Sequence, residues 1–152
     1  MRVLGVRVAP TVSSFIVYCT EGGVLVCSDV INMPATLDTP EKLKYVRNNI
    51  LDILNFYEVD IASIRVTESN SQNMSIDRLY IEAVIQEAFS SSEIKKYFII
   101  RKNGIKTALG INDSQYKSIL ASKETIKNID NSSFSSETNE ALLAALAAEA
   151  KL

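Results

Sequence analysis

The first eight residues, MRVLGVRV, are apolar almost without interruption, the pattern of a strand covered on both faces. Ser13 to Cys19 and Val24 to Ile31 predict the arms of an antiparallel hairpin closed by Glu21-Gly22-Gly23. Thr39 then reads as a helix cap with Pro40 in the first helical position. Leu43, Val46, Ile50, Ile53, Leu54 and Tyr57 follow at helical spacing. Ile61 to Thr67 is a fourth strand, and the polar stretch Glu68–Ser75 leads into a second helix from about Ile76 to Phe89. Tyr97 to Arg101 predicts a fifth strand, and residues 104–120 predict short helical turns broken at Gly110-Ile111-Asn112. Residues 121–136 are polar, with partial mobility expected, and an alanine-rich helix from about Glu137 to Leu152 closes the chain.

The order is three antiparallel strands followed by two crossover units. Right-handed crossovers place the later strands beside the first one. The expectation is a single α/β domain over 1–152, a five-stranded mixed sheet with helices on both faces. No window approaches the length of apolar sequence that a membrane span requires, and Arg2 and Arg7 break the opening stretch too early for a signal peptide. These features predict a cytoplasmic protein in which Cys19 and Cys27, flanking the hairpin turn, stay as free thiols.

Composition narrows the chemistry. The chain has 152 residues, a formal net charge of -2 and no histidine. That excludes Ser-His and Cys-His nucleophile pairs, an imidazole base and a His-bearing zinc site. Two cysteines are too few for a four-cysteine zinc cluster. Hydrolytic chemistry, if present, would fall to carboxylates holding hard metal ions.

The opening strand Leu4-Gly5-Val6-Arg7-Val8-Ala9-Pro10 resembles the first strand and turn of the RuvC-type Holliday junction resolvases, within the RNase H-like superfamily. Asp60-Ile61-Ala62-Ser63-Ile64-Arg65 resembles their fourth strand, and Arg78 to Gln86 the helix after it. Ile105 to Ile111 with Lys117 is similar to their lysine-bearing helix, glycine turn and second lysine, and Glu137-Thr138-Asn139-Glu140-Ala141-Leu142 to the acidic start of the last helix. Ile81 to Gln86 and the opening strand are also similar to a bacterial family of unknown function. The resemblance implies an RNase H-like fold and, in active members, four carboxylates holding two Mg2+ ions. One acid lies on the first strand, one at the end of the fourth, and two at the start of the last helix.

This sequence departs from that pattern where it matters most. The first position is Arg7 and the second is Arg65; only the last pair survives, as Glu137 and Glu140, three residues apart on one helix face. A divalent ion and a unit charge about 4 Å apart interact by roughly 8 kcal/mol at an effective dielectric of about 20. A guanidinium in place of a carboxylate reverses that sign, twice. The degenerate positions are therefore Arg7, Arg65, Glu137 and Glu140, with no catalytic residue and no metal or other cofactor expected. Three readings of the arginines are open: ion pairs with Glu137 or Glu140, a phosphate held between two guanidiniums, or simple exposure. The alternative is a metal-dependent nuclease with a rearranged site, Glu68, Glu82, Glu137 and Glu140 binding Mg2+ or Mn2+.

Charge is unevenly distributed. Residues 95–127 carry eight Lys and Arg against Asp113 and Glu124, a net of +6 that leaves -8 elsewhere. The resemblance implies that Lys106 and Lys117 face nucleic acid, and with Lys102 they are the candidate contacts. Affinity follows local phosphate neutralisation, so a net-acidic chain can still present a basic face, although solvated helix faces account for the same lysines without a ligand. Tyr97, Phe98 and Tyr116, among these charges, read as core residues rather than stacking platforms. The sequence therefore predicts an inactive RuvC-like module that binds DNA or RNA through the 95–127 stretch, or a protein partner, with a homodimer as the family expectation. A purely structural interaction protein with no nucleic-acid contact is the third class.

Overall fold

The computed structural model describes residues 1–152. Its elements are β1 (Arg2–Val8), β2 (Val12–Cys19), β3 (Val24–Asn32), α1 (Thr39–Phe56), β4 (Ile61–Arg65), α2 (Ile76–Ser91), β5 (Lys96–Ile100), α3 (Lys102–Leu109), α4 (Asp113–Leu120) and α5 (Ser136–Ala150). One five-stranded sheet runs in the order β3-β2-β1-β4-β5. β1–β2 and β2–β3 pair antiparallel, β1–β4 and β4–β5 parallel, which is the mixed sheet the element order requires.

Helices cover both faces. α1 and α2 pack on one, where Leu4, Val6, Val8, Ala62 and Ile64 meet Val46, Ile50, Ile81 and Ile85. α5 lies on the other, with Val3, Ile16 and Ile61 against Ala141, Leu142 and Ala145. α3 and α4 close over the outside of α5, where Ile105, Tyr116 and Ile119 meet Leu143, Ala144 and Ala147. A helix sandwiched in this way is covered all round: every α5 residue from Thr138 to Ala148 is buried, and from Ala141 on all are apolar.

Gly5 sets how closely α5 approaches. A Cβ there would lie 2.7 Å from Ala145 N and closer still to Ala141 O, so the helix backbone rests directly on β1. That contact fixes the first turn of α5 over the carboxyl ends of β1 and β4.

Several boundaries differ from the sequence expectation for identifiable reasons. The cap of α1 is Asp38, not Thr39: Asp38 and Glu41 exchange side-chain and backbone hydrogen bonds in a capping box, with Pro40 still in the first turn. β4 ends at Arg65 because Thr67 N donates to the Glu82 carboxylate instead of a strand. Residues 121–136, expected to be partly mobile, are pinned to α5: Asn131 Nδ2 donates to Asn139 Oδ1 (2.9 Å), and Asn139 Nδ2 to Leu120 O (3.2 Å) and Ser122 Oγ (2.9 Å). Tyr97 is corrected from core to surface, at 42% exposure on the edge strand β5. Tyr116 is buried, and Cys19 and Cys27 are free. No helix is long and apolar enough to cross a membrane.

Candidate functional site

Arg7 and Arg65 are register partners at the carboxyl ends of the parallel strands β1 and β4. They share the sheet face with Gly5 and Ser63, the face under α5, so both side chains point at the first turn of that helix. Glu140 comes down between them. Arg7 Nε donates to Glu140 Oε1 and Arg65 Nε to Glu140 Oε2, each at 3.1 Å. Tyr116 Oη donates to Glu140 Oε2 at 2.7 Å. The remaining reach of the guanidiniums goes to backbone: Arg7 Nη1 to Arg65 O at 3.1 Å, and Arg65 Nη1 to Val66 O. Arg7, Arg65, Glu140 and Tyr116 are 8%, 5%, 7% and 2% exposed, so the network is withdrawn from water.

Burial lowers the pKa of Arg7 and outweighs the pull of Glu140; repulsion from Arg65 acts in the same direction as burial. At Arg65 burial also lowers, but Glu140, Tyr116 and Glu68 together outweigh it and the net shift is upward. Both guanidiniums remain charged, since arginine starts so far above neutrality. Burial and then the Glu140 charge push the Tyr116 phenol up, which keeps it a neutral donor.

The anion between the two guanidiniums is thus a side chain of the protein itself. Of the three readings of the arginines, the geometry is that of the ion pair, with Glu140 and not Glu137 as partner; Glu137, half-buried on the first turn of α5, stands outside the network.

The four glutamates of the rearranged centre do not converge. Glu82 accepts from Thr67 N at 3.1 and 3.0 Å and from Thr67 Oγ1 at 2.7 Å, with Arg78 Nε 3.6 Å away. Glu68 turns back toward Arg65, 3.7 Å from Nη1. No three His, Cys, Asp or Glu side chains come together in a group able to hold a metal ion. The donor set at the sheet's carboxyl edge, two guanidiniums around one engaged carboxylate, does not fit the pair of divalent ions that the resolvase arrangement implies.

What the edge does hold is cations. Arg101 Nε donates to Thr67 O at 3.1 Å, beside Glu82 and Arg78. Lys102 Nζ lies 5.4 Å from the centre of the Tyr116 ring, directly behind the Glu140 network. Lys102, Lys106 and Lys117 converge on one carboxylate, Asp113, at 2.6, 3.6 and 3.1 Å. Contacts therefore link Arg7, Arg65, Arg78, Arg101, Lys102, Lys106 and Lys117 along one side, against Glu68, Glu82, Asp113 and Glu140. The surplus is cationic. The three lysines picked out in the sequence lie together, whereas Lys95 and Lys127 pair elsewhere, with Asp60 and Glu149.

Sequence reasoning missed Tyr116 as a partner of Glu140 and Asp113 as a hub. A buried tyrosine needs a partner for its hydroxyl, which was the one available signal. Asp113 and Lys117 are four apart on a helix, but the approach of Lys102 and Lys106 from α3 depends on the α3–α4 turn at Gly110, which is left-handed.

Comparison with protein-family models and with curated proteins gives no match. Among solved structures the chain is similar to RuvC of Thermus thermophilus, with a TM-score of 0.72 and 17% identity over 99% of this chain and 94% of that one. It is similar to the same T. thermophilus protein in complex with Holliday junction substrate, at TM-score 0.70 and 17% identity over the same shares. It is also similar to the yeast mitochondrial Holliday junction resolvase Ydc2, at TM-score 0.63 and 9% identity over 98% of this chain and 78% of that one. At these identities the likeness establishes the fold alone, a RuvC-like, RNase H-like arrangement of the mixed five-stranded sheet.

Proposed function

We propose that this RuvC-like chain binds nucleic acid along the carboxyl edge of its sheet without cleaving it. The observation that carries the reading is Glu140 clasped by Arg7 and Arg65 at the positions where the resemblance implies metal-binding acids. A two-metal nuclease edge is strongly anionic and tolerates a phosphodiester only when its ions are bound. Here the same edge carries a surplus of cations, so a phosphate backbone is attracted directly. Lys102, Lys106 and Lys117 are the proposed contacts, on α3 and α4 beside the clasp.

A second copy is the proposed partner in solution, through the exposed start of α2, where Ile76 and Tyr80 are 65% and 48% exposed. The module is proposed to work in the cytoplasm and to need no metal.

The test is a labelled four-way DNA junction, a duplex and a single strand, each with and without Mn2+ or Mg2+. Salt-dependent binding with no cleavage product is the expected result, and Lys106→Glu weakens it. Products that depend on metal and vanish in Glu68→Gln would return the rearranged nuclease. Absence of binding to all three nucleic acids would leave the protein-interaction reading in its place.

A further inference from the structure

Three lysine side chains meet on one aspartate at the edge proposed to carry nucleic acid. Lys102 and Lys106 both contact Asp113 Oδ1, at 2.6 and 3.6 Å, and Lys117 contacts Oδ2 at 3.1 Å. Each oxygen of that carboxylate is thus met by ammonium donors, as the oxygens of a phosphodiester would be. The contacts hold Asp113 well below the usual carboxylate range, chiefly through hydrogen bonds from Lys102 and Lys117, so it is ionised at every physiological pH.

We infer that Asp113 is a built-in competitor of the nucleic-acid phosphate, a carboxylate that occupies the lysine cluster and lowers its affinity until phosphate displaces it. The inference rests on the nucleic-acid reading above and adds the residue that sets its strength.

A carboxylate inside a lysine cluster has two opposed effects. It offsets the mutual repulsion of the ammoniums and so holds them together, and it cancels part of the charge that phosphate must find. The surrounding structure decides which effect dominates. Lys102 is placed independently by the Tyr116 ring, whose hydroxyl is fixed on Glu140. Lys102 and Lys106 are four apart on α3 and share its face, with side chains only 30% and 24% exposed. The α3–α4 turn is set by Gly110 in the left-handed region, and α4 is capped by Asn112 in a box with Gln115, neither involving the Asp113 side chain. Lys102 and the helices that carry Lys106 and Lys117 are therefore placed without Asp113, and removing its charge leaves mainly the gain.

The result expected for Asp113→Asn follows from counting the cations available to phosphate. Freeing one more makes the salt dependence steeper by about 0.9 in log Kd against log[salt] on duplex arms, and tightens binding roughly three- to tenfold between about 50 and 200 mM salt. Asp113→Glu keeps the charge, so its affinity stays near wild type. Asp113→Asn and Asp113→Glu are to be compared with wild type and Lys106→Glu by anisotropy of a labelled four-way junction and a labelled single strand, with a circular dichroism melt of each protein.

Tighter binding and a steeper slope for Asp113→Asn alone support the competitor. If wild type binds and Lys106→Glu weakens it, but Asp113→Asn is unchanged or weaker, the competitor role is overturned and the nucleic-acid reading stands. Equal tightening by Asp113→Glu assigns the effect to altered structure and also overturns it. Absence of binding by every protein overturns both.

Discussion

Glu140→Gln is the most informative single change in the molecule. The substitution keeps the shape of the side chain and one acceptor oxygen, but it removes the only anion shared by two buried guanidiniums. In the wild type that carboxylate accepts from Arg7 Nε and Arg65 Nε at 3.1 Å each and from Tyr116 Oη at 2.7 Å. The amide of glutamine brings an N–H2 donor toward one guanidinium, so one arginine is left with a donor facing a donor. Removing one partner of a buried charge network costs about 3–5 kcal/mol, because the charges left behind have lost their compensation. Losing only the phenol, in Tyr116→Phe, costs about 1.5–3 kcal/mol, the range for a hydrogen bond to a charged group.

For a chain of this length about 1 kcal/mol corresponds to roughly 2–4 °C in Tm. Glu140→Gln should therefore melt about 6–20 °C below wild type by calorimetry or circular dichroism at neutral pH. A third variant separates lost charge from lost packing. Arg7→Met, Arg65→Met, Glu140→Leu and Tyr116→Phe together remove every member of the buried network, and an apolar replacement of this kind is close to neutral in stability. Its melting temperature should lie well above that of Glu140→Gln. If Glu140→Gln instead melts within about 3 °C of wild type, the arginines have partners other than Glu140 and the clasp is not what holds this edge together.

Gly5→Ala tests the close seating of α5: its Cβ would sit 2.7 Å from Ala145 N and nearer still to Ala141 O, so a loss above about 3 kcal/mol is expected in urea unfolding, and a loss under about 1 kcal/mol would show that the helix can lift away. Asp60 has its pKa lowered by the hydrogen bond from Arg2 N (2.9 Å), with Lys95 3.2 Å away also favouring the charged form. A depressed folded-state pKa means stability that is present above the ordinary carboxylate value of 3.8 and is lost as pH falls through the folded value. The Tm gap between wild type and Asp60→Asn should accordingly be constant above about pH 5 and close below about pH 4; a gap unchanged at pH 3 would refute the linkage. Arg7→Asp with Arg65→Glu places two new acids beside Glu140, so this variant should melt low without metal and recover several degrees in Mn2+, whereas no response to Mn2+ would show that reversing the charges does not rebuild a metal site.

The fold was legible because its signals are local. The unbroken apolar run of β1, the double glycine between β2 and β3 and the helical spacing of α1 each specify an element without reference to the rest of the chain. Errors fell where two local signals competed. Asp38 and Thr39 are both good caps, and the box formed with Glu41 decides for Asp38. Ile61 to Thr67 reads as one strand, but Glu82 takes the Thr67 amide and ends it two residues early.

The site was legible only in part. Arg7 and Arg65 stood out because they are charges in strands that must be buried, and charge in a core demands a partner. Which acid supplies it depends on contacts spanning more than a hundred residues, and on a helix set down at Gly5 so that Glu140 rather than Glu137 faces the sheet. Asp113 was invisible for the opposite reason. Its significance lies in lysines that approach from a neighbouring helix, and in sequence it was only one minus sign among many.

Glu140 and Asp113 are two answers to the same electrostatic problem. Glu140 is buried and shared between two guanidiniums that have no water to fall back on, so its charge is needed for folding and is not available to exchange for a ligand. Asp113 is partly exposed, with its side chain 46% accessible, and water screens its ion pairs. A phosphate can displace such a carboxylate at small cost, but not Glu140. The edge therefore divides into a fixed part, at the positions where the resemblance implies metal-binding acids, and a more exposed part, which presents lysines. A metal-dependent nuclease needs the first of these to be open. A module that only holds nucleic acid needs the second, and that is the half whose anion, Asp113, is partly exposed rather than buried.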